Sequence, residues 1–208
     1  MRAVVLAACA VLGLSGCAGE RVWAPDQEVA QAAYQHDGPP RLTLYTMLNN
    51  NSGAGAHTAL MVNGSQRVIF DPAGSFNKSR VLPERNDVLY GITPQVEDVY
   101  TRYHARETFR VKVQKLDVSP EVARRTEQAV LSYGAVPQAM CANSTSDILA
   151  QVFPGQVNQT WSPRKLADEF AELSGVTERV LREYDSDDNS KVLDDWDPER
   201  ERVARAAN

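Results

Sequence analysis

Apolar residues are distributed along this chain in distinct patterns, and each pattern predicts a different element. Arg2 precedes an unbroken apolar run from Ala3 to Leu14, which ends in Leu14-Ser15-Gly16-Cys17. A spanning helix needs about 20 apolar residues, so this shorter run predicts a signal peptide over residues 1–16. Residues 17–40 are polar and carry Pro25, Gly38, Pro39 and Pro40, which predicts a tether with one group of helical turns around Gln27 to Tyr34. Leu42 to Leu48 alternates Leu, Tyr and Met with Thr, the period of a strand. His57 to Val62 and Arg67 to Asp71 are two more β-rich runs, joined through Asn63-Gly64-Ser65 as a hairpin. Val96, Val99, Tyr100 and Tyr103 recur at helical spacing within Pro94 to Arg106, and Phe109, Val111 and Val113 alternate as a half-buried strand does.

Three further helices follow from their end signals. Ser119-Pro120-Glu121 supplies a capping hydroxyl, a first-turn proline and an acid. Cys141 to Val152 ends at Pro154-Gly155, and Ser162-Pro163 opens a stretch through Leu166, Phe170 and Leu173 to Gly175. Strands followed by helices, with one strand interspersed, predict an α+β domain over residues 41–184, a small antiparallel sheet packed with helices. From 185 to 208 acids and arginines dominate, predicting a solvated, frayed or weakly helical tail on which Trp196 docks. The tail's acids lack the loop glycine and spacing of a calcium hand.

Leu14-Ser15-Gly16-Cys17 resembles the lipobox of bacterial lipoproteins. The resemblance implies that the Cys17 thiol takes a diacylglycerol and that a peptidase cuts just before it. Each buried methylene contributes about 0.8 kcal/mol, so two or three acyl chains hold a protein at a membrane without crossing it. Ala18 stands where lipoproteins retained in the inner membrane carry Asp, which implies the outer membrane rather than the inner, with the domain on the periplasmic face. An ordinary secretory signal with an incidental cysteine is the alternative. Both readings place the protein in the cell envelope.

The 208 residues are 43% hydrophobic and 24% charged, with a formal net charge of −5. That composition suits one globular domain, and the absence of a basic stripe argues against a nucleic-acid partner. Of the three cysteines, Cys9 leaves with the signal and Cys17 is the lipidation candidate, so Cys141 has no intramolecular partner. Such a cysteine is either a buried hydrophobe or a nucleophile.

A three-residue turn at Asn63-Gly64-Ser65 pairs Val62 with Gln66, and continuing outward sets His57 opposite Asp71. Opposed residues share a face with Cβ atoms about 4.5–5.5 Å apart, so the carboxylate could orient and charge the imidazole. Asp71 before Pro72 equally suits a turn. Cys141 falls at a predicted helix start, where the positive end of the helix favours a thiolate. A cysteine, a histidine and an aspartate therefore occupy settings that suit nucleophile, base and orienting acid. His36 lies in the tether and His104 in a charged helical stretch beside Arg102 and Arg106, which predicts a solvent-facing ring. The three histidines form no zinc motif, and neither metal nor cofactor is expected.

The segments Gly55-Ala56-His57-Thr58-Ala59-Leu60-Met61-Val62, Val68-Ile69-Phe70-Asp71-Pro72-Ala73 and Met140-Cys141-Ala142-Asn143-Ser144 resemble the circularly permuted papain-like peptidases. In that branch of the NlpC-type superfamily, related to the lecithin retinol acyltransferases and to small bacterial lipoproteins, the histidine strand precedes the cysteine helix. The resemblance covers roughly residues 42–175. It implies Cys141 as nucleophile, His57 as general base and Asp71 near the third polar position, attacking an amide or ester through an acyl-enzyme. A peptidoglycan peptide or a lipid acyl group is the implied substrate class. Ala139 and Met140 stand where many relatives carry an aromatic residue or Asn. The alternative is an envelope lipoprotein with a silent site and a binding or scaffolding role. The anchoring reading predicts that cells fed an alkyne-bearing palmitate label the full-length chain and that Cys17→Ala abolishes the label; labelling that survives the substitution overturns it.

Overall fold

The structure, a computed structural model, describes residues 19, 21–77, 81–194 and 196. The expected signal peptide, Cys17 and the end of the tail lie outside the described residues. Among these, seven strands form one antiparallel sheet: β1 (Arg41–Asn49), β2 (Gly55–Asn63), β3 (Arg67–Phe70), β4 (Glu84–Arg85), β5 (Val88–Tyr90), β6 (Phe109–Asp117) and β7 (Thr177–Leu181), ordered β4-β5-β3-β2-β1-β6-β7. The helices are α1 (Asp26–Ala32), α2 (Pro94–His104), α3 (Pro120–Ser132), α4 (Cys141–Val152), α5 (Pro163–Ala171) and α6 (Ser190–Asp194). The class is α+β as expected, but the sheet is larger than expected. The short β4 and β5 and the exposed β7 carry too few alternating apolar residues to register as strands in the sequence.

Alternation along β1 and β2 divides the core into two. Tyr45, Met47, Ala59 and Met61 face α2, with its Val96, Val99, Tyr100 and Tyr103. Leu42, Leu44, Leu60 and Val62 face Val130 of α3, Ile148 and Leu149 of α4, and Leu166 and Phe170 of α5. The central strands are therefore covered on both sides, which explains why even Thr43, Thr46 and Thr58 are fully buried. No helix among the described residues is long and apolar enough to cross a membrane.

The helix starts follow their caps. The side chains of Thr93, Ser119 and Ser162 accept from the Val96, Val122 and Lys165 amides, each with proline in the first turn. α2 is further fixed by a buried charge network. Glu97 accepts from the Tyr45 hydroxyl at 3.0 Å, pairs with Lys115 at 3.3 Å, and binds the Arg67 guanidinium. Removing one partner of such a network strands the others, so it sets the rotation of the helix.

Two expectations are corrected. The β2–β3 hairpin pairs Asn63 with Arg67 and Leu60 with Phe70, two residues further round than the three-residue turn places it. The Asn63 amide group donates to the Pro39 carbonyl, while Glu127 of α3 collects the Ser65 amide and hydroxyl and the Gln66 amide, so Gly64-Ser65-Gln66 forms the loop. The expected tether is docked: Ala24 N–H donates to Glu84 O, Asn86 N–H to Val22 O and Arg67 N–H to Tyr34 O. α1 comes so close to Gly91 that a Cβ there would lie 2.9 Å from the Ala32 carbonyl oxygen. The tail after β7 is exposed from Tyr184 to Asp188 and weakly helical over Ser190–Asp194, with Trp196 docked, as expected; Asp187 in addition accepts from the Thr108 amide and hydroxyl.

Phe170 has no exposed surface and joins α5 to the sheet. Phe170→Ala is expected to lower unfolding free energy by about 3–5 kcal/mol in urea denaturation; a loss below about 1 kcal/mol would show that this face of the core does not hold the domain together.

Candidate active site

β2 begins as β3 is ending. β3 stops at Phe70, opposite Leu60, so the stretch of β2 before Leu60 has no strand on its β3 side. His57 projects from that stretch on the α2 face. α4 packs on the opposite face, yet its first residue, Cys141, reaches the same place through the opening. The Cys141 sulfur accepts from the Thr58 amide, which has no β3 carbonyl to bond, and from the Ala142 amide at the start of α4, and it is hydrogen-bonded to the His57 ring. Met140 occupies the cap position without a side-chain cap, so the N-terminal amides of α4 are left facing the thiol.

Asp71 follows β3 directly. Its Oδ1 lies 2.7 Å from His57 Nε2 and accepts from the Tyr100 hydroxyl at 2.8 Å. Nε2 thus faces the carboxylate, and Nδ1 is the ring nitrogen left for sulfur. The side chain of Asp71 is 4% exposed and that of His57 17%. The structure brings Cys141, His57 and Asp71 together, with a hairpin register that differs from the one the turn predicts. The displacement by two residues preserves which face each side chain occupies, so the His57–Asp71 pair forms on the diagonal.

Each ionisable group responds to this arrangement. Burial works against a charged His57, but the Asp71 carboxylate and the Cys141 sulfur outweigh it and push the ring up to about 10. Burial alone would raise Cys141; the His57 hydrogen bond and charge, with the two amides, bring the thiol below its ordinary value. Burial would likewise raise Asp71, yet the charge and hydrogen bond of His57 and the Tyr100 hydroxyl hold it below the usual carboxylate range. Both shifts favour a thiolate beside an imidazolium, the form in which a cysteine is reactive.

Sequence reasoning missed four residues around this core. His104, expected at the surface, stacks on His57 with ring centroids 6.1 Å apart, and its Nδ1–H donates to the Tyr100 carbonyl at 2.8 Å. Burial, together with the charge on His57, drives it down to about 4 against the pull of Asp71, so the ring is neutral with Nε2 as acceptor. Tyr100 and His104 are four apart on the apolar stripe of α2, and that spacing was the available signal. Gly74 is required by close approach: a Cβ there would sit 1.9 Å from Asp71 Oδ2. Asp87, pushed up to about 6 by burial against the pull of its bonded amides, accepts from Val136 N–H at 2.7 Å and Ala73 N–H at 3.3 Å. Its carbonyl also takes the Asp71 amide at 2.8 Å. It therefore ties the loop carrying the acid to the loop leading to the nucleophile.

Cys141 is the free cysteine of the described residues, and among them no group of three His, Cys, Asp or Glu side chains is placed to hold a metal. Comparison with protein-family models, with curated proteins and with solved structures finds no match to this chain.

The rate of Cys141 alkylation by iodoacetamide is expected to rise through an inflection below that of a free thiol. In His57→Ala only the two backbone amides still oppose burial, so the inflection moves up and the rate at pH 7 falls roughly tenfold or more. Equal profiles for the two proteins would dissolve the ion pair.

Proposed function

We propose that this chain is a lipid-anchored thiol hydrolase or acyltransferase of the cell envelope, with a permuted papain-like arrangement of nucleophile and base. The single observation that carries the reading is His57 held between the Asp71 carboxylate and the Cys141 sulfur, with two backbone amides directed at that sulfur. A structural cysteine needs none of these partners, and holding an imidazolium and a carboxylate out of water costs stability unless chemistry uses them. The chain order supports it as well: the histidine strand precedes the cysteine helix, as in the family that the motifs resemble.

The steps follow from the geometry. The Cys141 thiolate attacks the carbonyl carbon of an amide or ester, forming a C–S bond and placing negative charge on the oxygen. The Cys141 amide, at the first position of α4, is the donor suited to that oxygen. His57 gives its proton to the departing nitrogen or oxygen as the scissile bond breaks. The ring, now neutral, takes a proton from water or another acceptor, which attacks the acyl carbon and releases the thiolate. Asp71 and Tyr100 hold the ring throughout, so it need not reorient between the two proton transfers. Peptidoglycan peptides and lipid acyl groups are the substrates that a domain tethered through Cys17 would meet.

Mixed with p-nitrophenyl acetate, the described domain is expected to release a burst of about one equivalent of p-nitrophenolate with acetate on Cys141. Cys141→Ala should abolish the burst, and His57→Ala should slow it by about 10²- to 10⁴-fold. Wild-type protein that forms no acetyl adduct, with its fold intact by circular dichroism, would refute the hydrolase reading.

A further inference from the structure

The space beside the His57–Cys141 pair is uneven. A groove of about 450 Å³ opens on the α2 side, lined by His57, His104, Arg106 and Asp187 and floored by Ala73 and Gly74; Cys141 does not line it. The groove therefore meets the proton-transferring ring and not the nucleophile. In a thiol acyl transfer that is the place of the group His57 protonates as it leaves, or deprotonates as it arrives.

Two polar side chains of this groove carry nitrogens without an internal partner. His104 Nε2 is buried with no hydrogen-bond partner among the described residues, and its neutral state makes it an acceptor. The Arg106 side chain is 6% exposed, and its Nε and Nη2 are likewise without a partner. Its nearest carboxylate, Asp185, stands 3.7 Å from Nη1, beyond hydrogen-bond length, and is itself 67% exposed. Asp187 is already committed to the Thr108 amide and hydroxyl. A buried guanidinium with two unused donors costs stability, and its planar fork fits a carboxylate.

Resting on the thiol acyl-transfer reading, we infer that this groove binds the amine fragment of the substrate and reads a carboxylate on it through Arg106. The incoming carboxylate replaces the loosely held Asp185 on the guanidinium at Nη1, the nitrogen that already faces an exposed carboxylate. In the forward direction the fragment is the amine released when the C–N bond breaks and His57 supplies its proton. In the reverse sense its amine attacks the Cys141 thioester: an N–C bond forms, the C–S bond breaks, His57 takes the amine proton and sulfur departs as thiolate.

The test partitions an acetyl-enzyme made with p-nitrophenyl acetate among acceptors. Glycylglycine, glycylglycinamide and O-phosphoethanolamine compete with water, and each is scored by its acetylated product relative to acetate from the same protein. Glycylglycine is expected to surpass its amide by about tenfold or more, the worth of one charge-assisted hydrogen bond. Arg106→Met should bring the two acceptors to parity. Because Arg106 is buried, Asp185→Asn serves as a second variant: the site is exposed, and removing the competing carboxylate should widen the preference. Parity in wild type with the acetyl burst retained overturns this inference and leaves the thiol reading standing, as does a preference that Asp185→Asn reduces. A stronger preference for O-phosphoethanolamine overturns the carboxylate assignment. Absence of the burst removes both readings together.

Discussion

The arrangement depends on where one strand stops. β3 ends at Phe70, and the place it would have filled beside Thr58 is taken by the sulfur of Cys141. A residue from a helix packed on one face thereby reaches a histidine that projects from the other. Had β3 continued two residues further along β2, its carbonyl would have claimed the Thr58 amide and closed the opening. The charged forms of thiol and imidazole are favoured there because backbone amides and a buried carboxylate replace the water that each has lost.

Holding those charges needs a rigid surround. α2 supplies the largest share, since Tyr100 bonds Asp71 through its hydroxyl and His104 through its carbonyl, while Glu97, one turn earlier, is tied to β1, β3 and β6 by Tyr45, Arg67 and Lys115. The aromatic rings of Tyr45, Phe76 and Tyr100 pack edge-on about the helix. From the other side Asp87 joins the two loops that carry acid and nucleophile. Asp87 is a costly group in the ordinary pH range. With its carboxyl raised to about 6, the stability it contributes is present below its unfolded value near 4 and is lost as pH rises through 6. A half-buried carboxylate held there positions the two loops at a cost in stability.

The chain between the expected signal and the domain also takes part. Residues from Val22 through Tyr34 lie against the β4–β5 hairpin and the start of β3, so any anchor at Cys17 would hold the domain close to its membrane. The acidic segment after β7 closes over the groove through Asp185 and Asp187. Both ends of the domain thus border the site that its middle builds.

Local patterns sufficed for the helices and for singling out Cys141, His57 and Asp71. Thr93, Ser119 and Ser162 with their following prolines start helices through short-range hydrogen bonds that need no partner element, whereas the helix opening at Cys141, with no capping side chain on Met140, was legible from its end signal Pro154-Gly155. The period-2 runs of β1, β2 and β3 were equally local, and because a strand alternates faces, His57 and Asp71 could be set on one side even with the register misplaced by two. Tertiary structure alone decided the rest. The hairpin register came from Glu127, sixty residues away, gathering the loop amides. The neutral state of His104 came from burial beside a charged ring. The opening in the sheet arose from the length of β3, which is set by what competes for its partners' hydrogen bonds. These are long-range satisfactions of polar groups, and no window of neighbouring residues contains them.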